Sequence, residues 1–280
     1  MGERLPIGVT LRTIRAEPRW WLESARRLDQ AGYAGVWAWD HFMGKGDTTV
    51  PVVEGWTILS MTAASTSRLT VGTFVANVMN RHPAVLARMA STLQIASGGR
   101  LILGIGIGGA PREHAAYGIE FPDAKERAAR LEEAIAVIRA LWSGGPVTRE
   151  SPWYPLADAT AFPVPVPPPP IVIGGETASG ARLAGRIGDG WTAFEDNFEA
   201  NLPLYLDALA ASGRRREEQH VVVGFQGSDW LGEESLADSP WIRVPRETWD
   251  RWHAAGADAA NVLARTTADV DALVEATNRW

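Results

Sequence analysis

The chain alternates short apolar runs with longer segments in which apolar residues recur at helical intervals. One such segment places Leu131, Ile135 and Ile138 on one face and Glu132 and Arg139 on the other, which is typical of a helix that packs on a sheet. There are eight such strand–helix pairs. The predicted strands cover residues 7–11, 35–39, 69–75, 101–105, 171–174, 190–193, 220–225 and 260–264. The predicted helices run near residues 18–31, 55–66, 83–97, 124–143, 176–187, 196–212, 245–255 and 267–278.

Each predicted strand is almost entirely apolar and precedes a helix, which indicates a parallel sheet with both faces buried. Eight regular units favour an α/β fold of the (β/α)8 TIM-barrel class, with residues 1–280 as a single barrel domain. A doubly wound open sheet is the alternative. Residues 144–170 break the alternation and carry four consecutive prolines at 167–170. We interpret them as a proline-rich insertion before strand five, with a short hairpin around Trp153 and Tyr154.

Composition limits the chemistry that this chain can perform. The 280 residues include no cysteine, which excludes disulfides, thiolate metal sites and cysteine nucleophiles, and no metal-ligand spacing of His, Asp or Glu is present. With 27 basic and 33 acidic residues, the formal charge of −6 favours a small-molecule ligand over nucleic acid. Because no export signal or long apolar run is visible, we expect a cytoplasmic protein with no membrane partner.

In barrels of this class, function sits on the loops that follow the carboxyl ends of the strands. This rule selects five stretches, and their convergence at one face of the barrel indicates a functional site there. They are Asp40-His41-Phe42 after strand two, Phe74-Val75-Ala76-Asn77 ending strand three, Gly106-Ile107-Gly108-Gly109 after strand four, Gly174-Gly175-Glu176-Thr177 after strand five, and residues 226–241 after strand seven.

Two of these stretches are rich in glycine. Residues 104–109 contain the GxGxxG pattern of dinucleotide-binding folds, but Pro111 follows and the next helical period begins near Asp123, so the pattern does not open a helix as that motif requires. A flat ligand or a phosphate could still approach this backbone closely. The other stretch is residues 174–177. There, Thr177 and the N-terminus of the following helix could bind a phosphate, and a tight turn in which Thr177 only caps the helix is an equal alternative.

Asp40 and His41 form a titratable pair at the end of a strand. A histidine there can pass a proton to or from a carbonyl or hydroxyl group, and a neighbouring carboxylate can orient the reacting groups. A purely structural histidine is the alternative. The settings of His82 at a helix start, His220 at a strand start and His253 within a helix suit catalysis less.

Several segments together resemble the luciferase-like monooxygenase superfamily, especially its members that depend on the deazaflavin coenzyme F420. The likeness covers nearly the whole chain. It lies in residues 35–42 (GVWAWDHF), 71–77 (VGTFVAN), 82–87 (HPAVLA), 97–106 (SGGRLILGIG), 170–175 (PIVIGG) and 184–191 (AGRIGDGW).

The resemblance implies a (β/α)8 barrel that binds F420, or alternatively FMN, at the carboxyl ends of its strands. It also implies a non-proline cis peptide at Phe74-Val75 behind the deazaflavin ring, with Asp40 and His41 contacting the ring or acting as acid and base. The cofactor-binding residues that it implies are Asp40, Phe74, Val75, Ala76, Asn77, Gly106, Ile107, Gly108, Gly174, Gly175, Glu176 and Thr177.

The sequence differs at two points from the sugar-phosphate dehydrogenases of this superfamily. Gly109 stands where those enzymes carry a catalytic Glu after the strand-four glycines. Met43, Gly44 and Lys45 follow the Asp-His pair where those enzymes carry a Trp. The resemblance therefore does not carry over a sugar phosphate as the substrate.

We expect an F420-dependent oxidoreductase that transfers a hydride between F420 and a small organic substrate, with His41 as proton donor or acceptor. The alternatives are an FMNH2-dependent luciferase-like monooxygenase and a non-catalytic flavin-binding relative. Trp230 and Trp241, in the long segment after strand seven, are predicted to form a lid or substrate wall, with packing against the barrel rim as the alternative. Dimers are common in this family, so the resemblance leaves a homodimer open.

Overall fold

The computed structural model describes residues 4–44, 47–225 and 236–280. Within these residues, eight parallel strands close into a barrel that helices surround. The strands are β1 (Ile7–Leu11), β2 (Gly35–Ala38), β3 (Thr70–Thr73), β4 (Ala76–Asn77), β5 (Leu101–Gly106), β6 (Val147–Arg149), β7 (Leu156–Ala159), β8 (Ile171–Gly174), β9 (Gly190–Phe194), β10 (His220–Phe225) and β11 (Ala259–Ala264). The helices are α1 (Pro18–Ala31), α2 (Gly55–Ser65), α3 (Pro83–Ala96), α4 (Pro111–Tyr117), α5 (Ala124–Leu141), α6 (Ala178–Ile187), α7 (Glu195–Ala211), α8 (Pro240–Arg243), α9 (Pro245–Ala254) and α10 (Thr267–Ala276).

The barrel strands follow one another around the barrel in chain order. β1 pairs with β2, β2 with β3, β3 with β5, and β5 with β8, and the sequence of pairs continues through β9, β10 and β11 back to β1. All of these pairings are parallel, and every residue of β1 is buried, as expected for a strand covered on both faces. The predicted (β/α)8 barrel is confirmed.

The third predicted strand is divided in two. β3 ends at Thr73, the peptide bond between Phe74 and Val75 is cis, and β4 then pairs with β5 at Asn77 and Gly106. The structure thus contains a non-proline cis bond where the family resemblance implies one. The other predicted barrel strands agree with the observed bounds to within one residue at each end.

The predicted amphipathic helices cover the outside of the barrel. In α5, Leu131, Ile135 and Ile138 are buried in the hydrophobic core, and the carboxylate of Asp123 accepts the N–H of Glu126 as the helix N-cap. Trp142, which directly follows this helix, donates its indole N–H to the carbonyl of Ala87 in α3 at 3.0 Å. Neighbouring helices are therefore joined by polar contacts as well as by apolar packing.

Two short helices, α4 and α8, are absent from the sequence prediction. The expectation that the next helix after the strand-four glycines begins near Asp123 is wrong, because α4 begins at Pro111. It has seven residues and ends at Gly118, whose φ of 65° lies in the left-handed region. Seven residues span only about two turns, which is too short to show a helical period.

The insertion before β8 is an ordered excursion packed on the helices. β6 and β7 form the antiparallel hairpin that the sequence predicts, and Trp153 and Tyr154 lie between them. The guanidinium of Arg130 lies 5.6 Å from the ring centroid of Trp153, and the rings of His82 and Tyr154 meet edge to face at 5.4 Å. The proline-rich insertion is therefore confirmed, and it contacts the barrel through aromatic side chains.

Aromatic side chains fill much of the interior. Of the tryptophans in the described residues, nine are buried. Trp37 and Phe74 lie 6.3 Å apart between ring centroids, and Phe74 and Phe194 lie 6.2 Å apart. A Cβ at Gly72 would overlap the Trp37 ring, so the glycine makes room for it. None of the helices in the described ranges has both the length and the apolar character that a membrane crossing requires.

Candidate active site

The loops at the carboxyl ends of β2, β4 and β5 meet at one side of the barrel mouth, and hydrogen bonds join them. The backbone N–H of Asn77 donates to Oδ2 of Asp40 at 3.0 Å, and the Asn77 amide nitrogen lies 2.9 Å from Nε2 of His114 in α4. The structure therefore brings together the predicted stretches after strands two, three and four. It also adds α4 to them.

Asp40 is almost completely enclosed, with 1% of its side chain exposed. Both carboxylate oxygens lie 2.8 Å from Nη1 of Arg81, and Oδ2 also accepts from the Asn80 amide at 3.1 Å. Arg81 in turn donates to Glu54 at 2.7 Å. Burial raises the pKa of the Asp40 carboxyl above its ordinary value, and Arg81 opposes that shift. Asp40 thus fixes the loop that follows β4. Its carboxylate is enclosed and fully hydrogen-bonded, whereas the side chain of the next residue, His41, is partly exposed.

His41 lies beside Asp40 with 31% of its side chain exposed. Its Nδ1 is 3.1 Å from Oε2 of Glu113, a residue of α4 that is only 4% exposed. No hydrogen bond to its Nε2 occurs within the described part of the chain. A half-exposed imidazole at the mouth of a barrel, held through one nitrogen, can exchange a proton with a ligand through the other.

His114 follows Glu113 in α4 and is fully buried. Its Nδ1 lies 2.8 Å from the carbonyl of Ala110, and its ring packs 4.5 Å from the ring of Phe121. With Nε2 next to the amide of Asn77, the imidazole joins α4 to β4. His114 therefore holds the loops together, whereas His41 is open to a ligand.

The glycines at the ends of β5 and β8 make room for one side chain of the cis segment. A Cβ at Gly174 would lie 2.8 Å from Cγ2 of Val75, and one at Gly106 would lie 3.1 Å from the same atom. Gly108 has a φ of +77°, and a Cβ there would overlap the side chain of Asn77. These predicted cofactor-binding positions thus lie against Val75 and Asn77 in one continuous wall, in which Ile107 is half-buried.

The stretch after β8 forms a capped turn. Thr177 accepts the N–H of Gly180 at 3.2 Å as the N-cap of α6, and Gly175 is in contact with the backbone of Gly180. The carboxylate of Glu176 accepts the N–H of Phe194 at 3.1 Å, so it faces the end of β9. The capped turn that the sequence offered as an alternative is present, and a contact of this turn with phosphate stays a prediction.

Two tryptophans, Trp230 and Trp241, are predicted to form a lid or substrate wall. Trp230 lies outside the described residues. Trp241, in α8, is 2% exposed and belongs to the hydrophobic core. This placement matches the packing alternative for Trp241 and gives no support to a role in a substrate wall.

Sequence reasoning missed Glu113 and Arg81, the two charged residues that bond to the predicted pair. The sequence does contain one signal for the helix that carries Glu113. Pro111 begins this seven-residue helix and Gly118 follows its end, and a proline at the start with a glycine after the end is typical of helices. Arg81 lies 41 positions after Asp40 and carries no local signal. Within the described ranges, no three His, Asp or Glu side chains come together as a metal site would need.

Comparison with known proteins identifies a family and several relatives of this chain. The family model described as luciferase-like monooxygenase matches residues 6–227. An F420-dependent glucose-6-phosphate dehydrogenase of Kineococcus radiotolerans is 37% identical over an alignment of 221 residues that covers 76% of this chain and 65% of that protein. An F420-dependent hydroxymycolic acid dehydrogenase of Mycobacterium tuberculosis is 35% identical over an alignment of 209 residues that covers 71% of this chain and 58% of that protein. The aligned part is thus less than two thirds of either relative's length.

A solved structure supports the same fold over a greater length. An F420-dependent secondary alcohol dehydrogenase, determined in complex with an F420-acetone adduct, superposes with a TM-score of 0.83 and 19% sequence identity. The match covers 98% of this chain and 98% of that one. At this level of identity the likeness establishes a shared barrel architecture.

Proposed function

This chain belongs to the luciferase-like monooxygenase family, and on that premise we propose that it is an F420-dependent oxidoreductase acting on a small alcohol or carbonyl substrate. Two observations support the proposal. The relatives named above are F420-dependent dehydrogenases, and this chain keeps a half-exposed His41 at the barrel mouth. The second observation carries the proposal, because a partly exposed imidazole neighbours Asp40, which bonds to Asn77 of the wall expected to hold the cofactor.

The residues at the barrel mouth fit a flat, anionic cofactor. The segment Phe74–Val75 is half-buried, and no atom of the described residues lies within 4 Å of a Cβ built at Gly109, so a ring can approach both. The side chain of Thr177 caps α6, and Ala178 and Ser179 at the start of this helix are exposed, where a phosphate would be favoured by the helix N-terminus. We assign Asn77, Gly106, Ile107 and the adjoining segment to the cradle of the cofactor.

His41 has the role of the acid or base. When bound, F420 supplies hydride transfer, so the protein has to orient the substrate and move one proton. In the direction of alcohol oxidation, the substrate carbon loses a hydride and the substrate oxygen loses a proton, which Nε2 of His41 accepts. In the direction of carbonyl reduction, the same nitrogen returns the proton to the oxygen.

The substrate class follows from what surrounds His41. Arg81 is committed to Asp40 and Glu54, and Arg127 donates to the carbonyls of Ile107 and Pro122. Gly109 carries no side chain, and within the described ranges no atom lies within 4 Å of a Cβ built there. Because both arginines are bonded to protein oxygens, we propose a neutral secondary alcohol and its ketone, rather than a sugar phosphate, as the first substrates to test.

The proposal is tested by titrating the protein with F420 and with FMN and following quenching of tryptophan fluorescence. We expect F420 to bind at least about tenfold more tightly than FMN, a difference of roughly 1.4 kcal/mol. Turnover is then followed through F420 absorbance with secondary alcohols and with glucose 6-phosphate. The His41→Ala variant should bind F420 within about twofold of the original and turn over roughly 100-fold more slowly or worse.

His220→Ala is the matched control, since His220 is exposed at the amino end of β10, on the opposite face of the barrel. It should leave both cofactor binding and turnover unchanged. Tighter binding of FMN, with oxygen consumption, would replace the proposal by a flavin monooxygenase. Binding of neither cofactor would remove the proposed site.

A further inference from the structure

A buried carboxylate stands directly behind the imidazole of His41. Oε2 of Glu113 lies 3.1 Å from Nδ1 of His41 and 3.4 Å from the backbone nitrogen of Met43. Only 5% of the Glu113 side chain is exposed, against 31% of the His41 side chain. The carboxylate of the pair is therefore shielded from solvent, and the imidazole is partly exposed to it.

We propose that Glu113 is the positioning residue for His41, holding the neutral ring as its Nδ1–H tautomer so that the Nε2 lone pair faces the substrate. The proposal rests on the proposed function, because it gives the acid–base histidine a fixed orientation. Which nitrogen of a neutral imidazole carries the proton is set by the hydrogen bond that the ring makes. A base that has to accept a proton through Nε2 needs that nitrogen unprotonated.

The direction of the hydrogen bond follows from the surroundings of the carboxylate. Oε2 of Glu113 already accepts the N–H of Met43, which marks it as an acceptor. Oε1 is buried and has no hydrogen-bond partner within the described part of the chain. Because a buried carboxylate oxygen without donors is costly, the N–H of His41 is a main source of stabilisation for this group. The imidazole is thus the donor and the carboxylate the acceptor.

The same carboxylate also stabilises the ring after it has taken a proton. When His41 accepts the substrate proton through Nε2, the imidazolium charge forms next to Glu113. The carboxylate then accepts a charge-assisted hydrogen bond, which is stronger than one between neutral groups. Glu113 therefore assists proton uptake without itself touching the substrate.

The helix that carries Glu113 is fixed to the loops of the site at other points as well. The hydroxyl of Tyr117 donates to the carbonyl of Phe42 at 3.0 Å, and the two rings meet edge to face at 5.6 Å. One position after Glu113, His114 bonds to Asn77. Two further residues of α4 thus anchor this helix to the loops of the site, which gives the carboxylate a defined place.

Tyr117 also supplies the control that separates positioning from a general structural role. Tyr117→Phe removes a hydrogen bond between α4 and the Asp40-His41-Phe42 loop but leaves the contact of Glu113 with His41 intact. If Glu113 only holds the helix in place, Glu113→Gln and Tyr117→Phe should act alike. If it positions the imidazole, only Glu113→Gln should change the ring.

The experiment measures nitrogen chemical shifts of the histidine rings in the cofactor-free protein, at a pH where His41 is neutral. The protein is labelled with 15N-histidine, and the His41 signals are assigned with His41→Gln. We expect the Nδ1–H tautomer in the original protein and in Tyr117→Phe. Glu113→Gln should give a mixture of tautomers, because an amide can either donate to or accept from Nδ1.

Turnover gives the second measurement. With F420 and a secondary alcohol, Glu113→Gln should lower kcat by about 10- to 100-fold while KM stays within about twofold, the usual scale for a group that orients a catalytic side chain. Glu113→Asp, which keeps the charge, should retain more activity than Glu113→Gln. An Nε2–H tautomer in the original protein would overturn the proposal without any variant, as would equal effects of Glu113→Gln and Tyr117→Phe.

The two proposals can fail separately. If F420 does not bind, the proposed function fails, and the ring signals still decide whether Glu113 positions His41. If F420 binds and turnover is observed but the tautomer does not depend on Glu113, the proposed function stands and the positioning role is overturned.

Discussion

The carboxylate of Asp40 is held by donors from three residues: Asn77 at the end of β4, and Asn80 and Arg81 after it. The sequence marks Asp40 as one member of a titratable pair but cannot show that Arg81 reaches it, because nothing local links positions 41 residues apart. In the folded protein, the adjacent Asp40 and His41 have different surroundings. Asp40 holds the loop after β4, and His41 keeps a partly exposed ring at the barrel mouth.

We predict that Asp40→Asn lowers the free energy of unfolding by about 2 kcal/mol or more, since it leaves the buried Arg81 without its main counter-charge. Urea denaturation measures the loss. The matched control is Asp271→Asn, which breaks the exposed pair with Arg27 and should cost less than about 1 kcal/mol. Equal losses in the two variants would contradict the structural role of Asp40.

At the scale of elements, the end of β5 and the start of α4 determine the shape of the site. The glycines of this segment look like a dinucleotide motif in sequence. In the structure they leave space for Val75 and Asn77, which follow from a different strand. The helix α4, which carries Glu113 and His114, is too short for periodicity to predict. An interpretation from the sequence alone therefore finds the place of the site but not the group behind His41.

Substitutions at the adjacent Gly108 and Gly109 test whether a glycine at position 108 is needed to make room for Asn77. Gly108→Ala should lower the free energy of unfolding by about 2 kcal/mol, because a left-handed φ of +77° disfavours a side chain and the new Cβ would displace Asn77. Gly109→Ala should change it by less than about 1 kcal/mol, because its Cβ would meet nothing within 4 Å. Thermal or chemical unfolding of the cofactor-free protein checks both values. Comparable losses would show that Asn77 does not depend on the space at Gly108.

At the scale of the whole molecule, the carboxyl of Glu195 contributes to the pH dependence of stability. Glu195 begins α7 in a cleft that Arg251 and Trp252 of α9 also line. Burial, together with the neighbouring charge of Asp196, raises the pKa of Glu195 from 4.5 to about 7. Between these two values the folded protein keeps a proton that the unfolded chain releases. Its contribution to stability is therefore complete below pH 4.5 and is lost as the pH rises towards 7.

Glu195→Gln should remove this dependence. We expect its Tm to match that of the original protein near pH 4.5 and to exceed it above pH 7, since the amide cannot ionise. Asp196→Asn should lower the pKa of Glu195 and reduce the difference between the two pH values. Thermal unfolding followed by circular dichroism across this range measures both effects. A stability difference that is the same at both ends would show that Glu195 does not titrate in this window.

The sequence by itself determined the eightfold alternation of strand and helix, the insertion before β8 and the face of the barrel on which the site lies. These features depend on local periodicity and on the rule that parallel strands end at one edge, so they can be read without coordinates. Only the tertiary structure decided the partners of the two neighbouring acid–base candidates: Arg81 for Asp40 and Glu113 for His41. The physical reason is that a hydrogen bond across the barrel mouth joins residues far apart in the chain, and its formation depends on how separately folded loops meet.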